Sequence, residues 1–262
     1  MAQIIAVHSF RGGTGKSNLI ANIAATMAHQ GLRVGIIDTD IQSPGIHIIF
    51  GLKEDKIGLA LNDYLWGRCD IKDAAYDVTD ALIAEQGYTG KVKGSLYLIP
   101  SSIKATEIAR ILREGYDVVR LNDGFQELIR NLNLDYLLID THPGLNEETL
   151  VSIGISNLLL IILRPDSQDF QGTAVTVDVA RKLKAAKMLL VINKALPALN
   201  FADLQQQVEK IYNVSVAGIL PLSEEMVQLA SKGIFCLRYP QHPMTQTIKG
   251  ITEQIAGLVV SH

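Results

Sequence analysis

A chain of 262 residues, 48% of them hydrophobic, with a formal net charge of −3 can bury a sizeable core without disulfide or metal staples. That charge argues against an extended nucleic-acid surface, though not against a local basic patch. The two cysteines, Cys69 and Cys236, form no C-x-x-C and read as reduced thiols of a cytoplasmic protein; no secretory signal is visible, and the longest apolar run, Leu158–Leu163, is far too short to span a bilayer.

The first predicted element is a strand, Ile4–His8. The segment FRGGTGKS, Phe10 to Ser17, follows it, and Leu19, Ile20, Ile23, Ala24 and Met27 then recur at helical spacing. A glycine-rich turn from strand to helix is where a phosphate loop belongs. Gly12, Gly13 and Gly15 let successive backbone N–H groups face one phosphate. Lys16 adds a point charge for the β- and γ-phosphates. Ser17 offers a hydroxyl to Mg²⁺ and opens a helix whose positive end faces the anion. The predicted nucleotide contacts are Gly12, Gly13, Thr14, Gly15, Lys16, Ser17 and Asn18. A dinucleotide fingerprint needs a third glycine, and Gly13-Thr14-Gly15 is followed by Lys16, Ser17 and Asn18.

Further strands are predicted at Val34–Asp38, Leu96–Ile99, Tyr136–Asp140, Leu158–Leu163, Met188–Asn193 and Val216–Leu220. They are rich in Ile, Leu and Val without alternation, as strands buried on both faces should be. Helical stripes lie between and after them: Val175, Val179 and Leu183, then Ile248, Ile251, Ile255 and Leu258. Gly51–Gly94 has the weakest periodicity and reads as an irregular helical excursion. The expected fold is α/β, one domain over residues 1–262, with a mostly parallel sheet of about seven or eight strands and helices on both faces. Ligands then sit beyond the C-terminal strand ends.

Three aspartates fall at those ends. Asp38 and Asp40 close the second strand in IIDTDIQSPG. Asp140 closes YLLID ahead of Thr141-His142-Pro143-Gly144. A carboxylate after four apolar strand residues looks like a Walker B aspartate, a ligand of Mg²⁺ directly or through water.

Together, R-G-G-T-G-K-S, D-T-D-I-Q-S-P and D-T-H-P-G resemble the MinD/ParA superfamily of deviant Walker A P-loop ATPases, over residues from about 3 to 250. The family's signature lysine stands at the position of Arg11. The resemblance implies a P-loop NTPase fold, ATP and Mg²⁺, and a slow ATPase that is stimulated by its partner. It implies a homodimer closed by ATP, which recruits or releases a regulatory protein in a positional, partitioning or division-type role. It implies metal contacts from Ser17, Asp38 and Asp140, and catalytic parts for Lys16, Asp40 and Arg11. Asp40 would orient or deprotonate the attacking water. Arg11 would cross the dimer to the partner's nucleotide. The family also implies that Asn193 hydrogen-bonds adenine and that Pro221 lines the adenine pocket; Leu196 stands where a GTPase keeps its guanine-reading carboxylate. His142 departs from the family's pattern and reads as an ordinary loop residue before a sensor of phosphate or pH.

Weaker features have plainer readings. Arg181, Lys182, Lys184 and Lys187 form a cationic cluster on one predicted helix, read as a solvated face before a site for non-specific DNA. The C-terminal helix reads as core and not as a membrane anchor, because its polar face is not basic. Tyr64, Leu65 and Trp66 read as local core before a partner surface. Three rival functions are weighed. A metallochaperone on this fold would need clustered cysteines. A tyrosine autokinase would show a Tyr-rich tail, whereas only Tyr239 lies in the last fifty residues. A non-hydrolysing nucleotide-gated scaffold would follow if Arg11 cannot do the lysine's work.

Overall fold

The structure, a computed structural model, describes residues 2–83 and 92–260. In chain order it runs β1 (Gln3–His8), α1 (Lys16–His29), β2 (Arg33–Asp38), α2 (Ile46–Ile49), α3 (Leu61–Leu65), β3 (Tyr76–Asp77), β4 (Ser95–Ile99), α4 (Ala105–Glu114), α5 (Val118–Leu132) and β5 (Tyr136–Asp140). It continues α6 (Glu147–Ile155), β6 (Leu158–Leu163), α7 (Ser167–Lys182), β7 (Met188–Ala195), α8 (Phe201–Tyr212), β8 (Val216–Pro221), α9 (Glu224–Leu229), α10 (Phe235–Arg238) and α11 (Pro243–Val260).

The strands form one sheet in the order β3-β4-β2-β5-β1-β6-β7-β8. Every pairing is parallel except β3 with β4. β5 and β6 are buried at every residue, which is why they read as unbroken apolar runs. On one face Ile5, Val7, Val34, Ile36, Leu138 and Leu160 pack with α1, α10 and α11. On the other, Ile4, Ile37 and Ile139 lie under α3 and α5, and Ala6, Leu159 and Ile161 under α7 and α8. Helix α1 is buried from Leu19 to Ala28, with Leu19, Ile20, Ile23 and Met27 each stabilising by about 1.5–3 kcal/mol on the area scale.

Helices α5 to α9 each begin on a side chain that accepts from their first N–H groups: Asp117, Asn146, Asp166, Asn200 and Ser223. Helix α1 does not. Its N-cap is Gly15, no side chain caps it, and its first turn holds no acid. The leading N–H groups of a long buried helix are thus left for an anion.

The structure shifts several sequence expectations. Gly51–Gly94 contains, in its described part, α3, β3 and three 3₁₀ turns at Glu54–Lys56, Ile71–Ala74 and Thr79–Leu82; residues 84–91 lie outside the described residues. Val175 on α7 and Leu183 just past its end are exposed, and the buried face includes Gly172, Thr173, Thr176, Val177 and Ala180. Small residues and threonine, whose Oγ1 at Thr176 donates to the Gly172 carbonyl, bring that helix close to the sheet, so the largest side chains do not mark its inner face. The cationic cluster is not on one helix. Helix α7 ends at Lys182, Lys184 turns left-handed at φ 57° just beyond it, and Lys187 is bound to the Leu258 carbonyl. On α11, Ile248, Ile251 and Ile255 are fully in the core, as expected. Trp66 is only part-buried, stacked between Arg68 at 4.7 Å and Arg110 at 4.4 Å. No helix among the described residues is long and apolar enough to cross a membrane.

Candidate functional site

The C-terminal ends of β1, β2, β5, β7 and β8 converge on a cleft of about 710 Å³ whose lining includes Lys16, Asp40, Pro143, Asn193, Pro221 and Met226. The phosphate loop forms its floor. Gly13 and Gly15 are left-handed at φ 73° and 97°, a conformation glycine adopts at no Cβ cost. Gly15 is doubly constrained, since a Cβ there would fall 2.5 Å from Asn193 Nδ2. Lys16 is buried and donates to Ser9 Oγ at 3.2 Å; Ser9 Oγ in turn donates to the Arg11 carbonyl at 2.7 Å.

Below the loop the acids gather. Ser17 Oγ donates to Asp140 Oδ2 at 2.6 Å. Asp140 Oδ1 is buried with no partner among the described residues. Asp38 is opposite Asp140 in the strand register. Its Oδ1 accepts the Asp40 N–H at 3.0 Å and its Oδ2 the Gly45 N–H at 3.3 Å, so Asp38 also shapes the loop after β2. Burial pushes both carboxyls above the usual range. The negative charges of Asp140 and Asp40 push Asp38 further, against its backbone donors. For Asp140, Lys16 and the Ser17 hydroxyl pull the other way. Two buried carboxylates this close call for a cation. The orphaned Oδ1 and the adjacent hydroxyl suit Mg²⁺, which binds proteins through one or two carboxylates and takes its other ligands from water and phosphate.

A deformation of the sheet completes the wall. The β7–β8 register slips between Ile192 and Ala195, and Lys194 is left-handed at φ 56°. A bulge of this kind re-aims side chains. Here it turns Asn193 and Lys194 onto the phosphate loop: Asn193 Nδ2 donates to the Thr14 carbonyl at 2.7 Å, and Lys194 Nζ to the Gly13 carbonyl at 2.7 Å.

The comparisons with known proteins agree with this geometry. The AAA_31 model, described as an AAA domain, matches residues 2–196. The chain belongs to that family. An ATP-binding protein of Methanocaldococcus jannaschii is 26% identical over 258 residues, covering 98% of this chain and 89% of the relative. The septum site-determining protein MinD of Pyrococcus horikoshii, solved with Mg-ADP, superposes with a TM-score of 0.77 at 18% identity over 100% of both chains. MinD in the MinC:MinD cell division complex of Aquifex aeolicus superposes with a TM-score of 0.77 at 20% identity over 98% of this chain and 96% of that one. The fold is that of MinD, a P-loop NTPase fold, as the sequence motifs imply.

Within this family frame, most of the predicted residues meet at the cleft. Gly12, Gly13, Gly15, Lys16, Ser17, Asn18, Asp40, Asn193 and Pro221 all line it, and Thr14, Asp38 and Asp140 lie buried behind it. Three placements add to or differ from the expectation. Asn193 lines the cleft and also braces the loop: its Nδ2 donates one N–H to the Thr14 carbonyl and its Oδ1 accepts the Lys194 N–H at 2.9 Å. The Arg11 guanidinium faces its own chain, 3.8 Å from Asp166 and 3.7 Å from Asp169. Burial alone would raise the Asp169 carboxyl, but hydrogen bonds from Arg164 prevail and hold it below the usual range. His142 is no ordinary loop residue, since its Nδ1 lies 2.6 Å from Asp40 Oδ1.

Sequence reasoning missed Lys194 and His8. Lys194 carried a signal in its position directly after Asn193 at a strand end, but its left-handed turn is a property of the bulge. His8 closes β1 with no exposed surface. Thr141 Oγ1 donates its one proton to the Val7 carbonyl at 3.0 Å, so at the 2.8 Å contact with His8 the ring must donate from Nδ1. Burial, then the charges of Lys16 and His142, lower His8 to about 3. A neutral imidazole backs the phosphate loop.

Proposed function

We propose that the chain is a Mg²⁺-dependent ATPase that works as a dimerisation switch: ATP closes two copies face to face, hydrolysis releases them, and a regulatory protein reads the difference. The observation that carries this reading is the Ser17–Asp140 contact with its orphaned carboxylate oxygen, set beneath a left-handed glycine loop and an uncapped helix. That combination suits the phosphates and metal of a nucleoside triphosphate.

The loop N–H groups and Lys16 hold the phosphates. Ser17 and Asp140 would hold Mg²⁺, whose charge would neutralise the charge developing on the phosphates. Asp40, at the rim of the cleft, orients the attacking water and accepts its hydrogen bond. Arg11 leaves its pairs with the half-exposed Asp166 and the buried Asp169, which keeps its Arg164 bonds, to reach the partner's nucleotide. The exposed Asp166 pair costs about 0–1 kcal/mol to break, and an arginine supplied in trans is worth about 10³–10⁵ in rate. Turnover is slow until a partner protein completes the site. A chain with this fold and the name MinD is solved in complex with MinC, and a site-determining relative makes spatial regulation the favoured output. Cys236 is buried in the core on one face of the sheet and the part-buried Cys69 packs against the core on the other, which disfavours a metallochaperone.

Light scattering with MgATP, MgADP and neither, on wild type, Arg11→Ala and Asp40→Ala, tests the cycle. The expected result is a dimer with MgATP alone, none for Arg11→Ala despite retained ATP binding, and a persistent dimer for Asp40→Ala. An Arg11→Ala protein that dimerises and hydrolyses as the wild type does would remove the face-to-face mechanism.

A further inference from the structure

Asp40 and His142 come from different loops and meet over the cleft. β2 and β5 are neighbours, with Asp38 opposite Asp140, and each contact residue stands two positions past its paired strand end. The imidazole Nδ1 is 2.6 Å from Asp40 Oδ1, and the same oxygen accepts the Ser43 N–H at 3.2 Å. Asp40 Oδ2 has no bond to any described residue, and Asp40 lines the cleft above the phosphate loop. An ionised carboxylate only accepts, so the proton between the two lies on the ring. The pair is about four-fifths buried, at 20% and 17% side-chain exposure, where a short charge-assisted bond keeps its strength. The loop that carries His142 is itself fixed: Thr149 Oγ1 donates to the His142 carbonyl and the Gly144 N–H to the Ser9 carbonyl, both at 3.3 Å.

We infer that His142 is a positioning residue for hydrolysis: with Ser43 it grips one oxygen of Asp40, fixes the rotation of that carboxylate, and leaves Oδ2 as the acceptor presented to the attacking water. The inference rests on the reading of Asp40 as the water-orienting group. It also links the loop after β2 to the loop after β5, so a partner that moves either loop changes the aim of Asp40. Ser43 cannot do this alone, because a single hydrogen bond to one oxygen leaves the carboxylate free to swing about its Cβ–Cγ bond.

Single-turnover hydrolysis of MgATP, at protein concentrations where the dimer forms, is measured beside the affinity for a fluorescent ATP analogue. His142→Ala should slow hydrolysis about 10- to 100-fold, the worth of a hydrogen bond to a charged group, with affinity changed less than about threefold as expected for a group acting after binding. His142→Asn, whose Nδ2 can donate along the same direction, should recover most of the rate. In an Asp40→Ala background His142→Ala should cost nothing more, because the two act through one contact. A wild-type rate in His142→Ala, equal losses in the Ala and Asn variants, or a further loss in the Asp40→Ala background each overturns the inference. Should His142→Ala not fold, His142→Phe, which fills the space without a donor, takes its place. An Asp40→Ala protein that hydrolyses normally would instead overturn the reading of Asp40, and this inference with it.

Discussion

The buried imidazole of His8 makes the fold acid-sensitive to an extent that can be worked out. Its pKa is lowered from 6.5 to about 3, chiefly by burial. A base whose folded pKa lies below its unfolded one contributes stability that is complete above pH 6.5 and is lost as pH falls toward 3. Between about pH 7.5 and 5.0 the unfolded chain takes up nearly a full proton at this site and the folded chain almost none, so the wild type should lose about 2 kcal/mol from His8 alone. His8→Asn cannot titrate. Its stability at neutral pH will differ from that of the wild type, but its change between the two pH values should be smaller by that same amount, roughly a third of a modest domain stability. Urea unfolding at both pH values, on both proteins and without nucleotide, measures the difference of differences. Other groups, among them His29 and His47, also lowered by burial, titrate equally in the two proteins and cancel. Equal losses in wild type and variant would mean that His8 is charged, or as open to water, in the folded state, and the buried-imidazole argument would fail.

Lys16→Ala should abolish MgATP binding in a fluorescence titration, and Asp140→Asn should weaken binding only when Mg²⁺ is present, since the proposed role of its free oxygen is to ligate the metal and not the phosphates. ATP should outcompete GTP for the site because Leu196, more than half exposed, offers guanine no carboxylate; Asn193→Ala should weaken both nucleotides alike and lower stability by about 1–3 kcal/mol, the cost of an unpaired buried carbonyl at Thr14. Gly172→Ala should destabilise the protein by about 1–3 kcal/mol in thermal melts, because its Cβ would fall 2.2 Å from the Phe10 ring and that ring must leave its seat on α7.

The parallel α/β class, seven of the eight strands and the phosphate loop were legible in the sequence. Those features are written locally: unbroken apolar runs bury both faces of a strand, and glycines before a lysine have few other uses. Asp38, Asp40 and Asp140 were also legible, because a carboxylate ending an apolar strand has its place decided by that strand. What the sequence could not hold was the direction of side chains that depend on two distant segments. The slip between β7 and β8 ties Asn193 and Lys194 to the phosphate loop, and a register shift is a relation between strands. Arg11 faces Asp166 and Asp169 because Phe10 seats against Gly172 on α7. His142 has no periodic or motif signal; only the pairing of β2 with β5 brings it to Asp40, 102 positions away. Local chemistry thus decided which residues build the site, and the packing of the sheet decided what each of them touches.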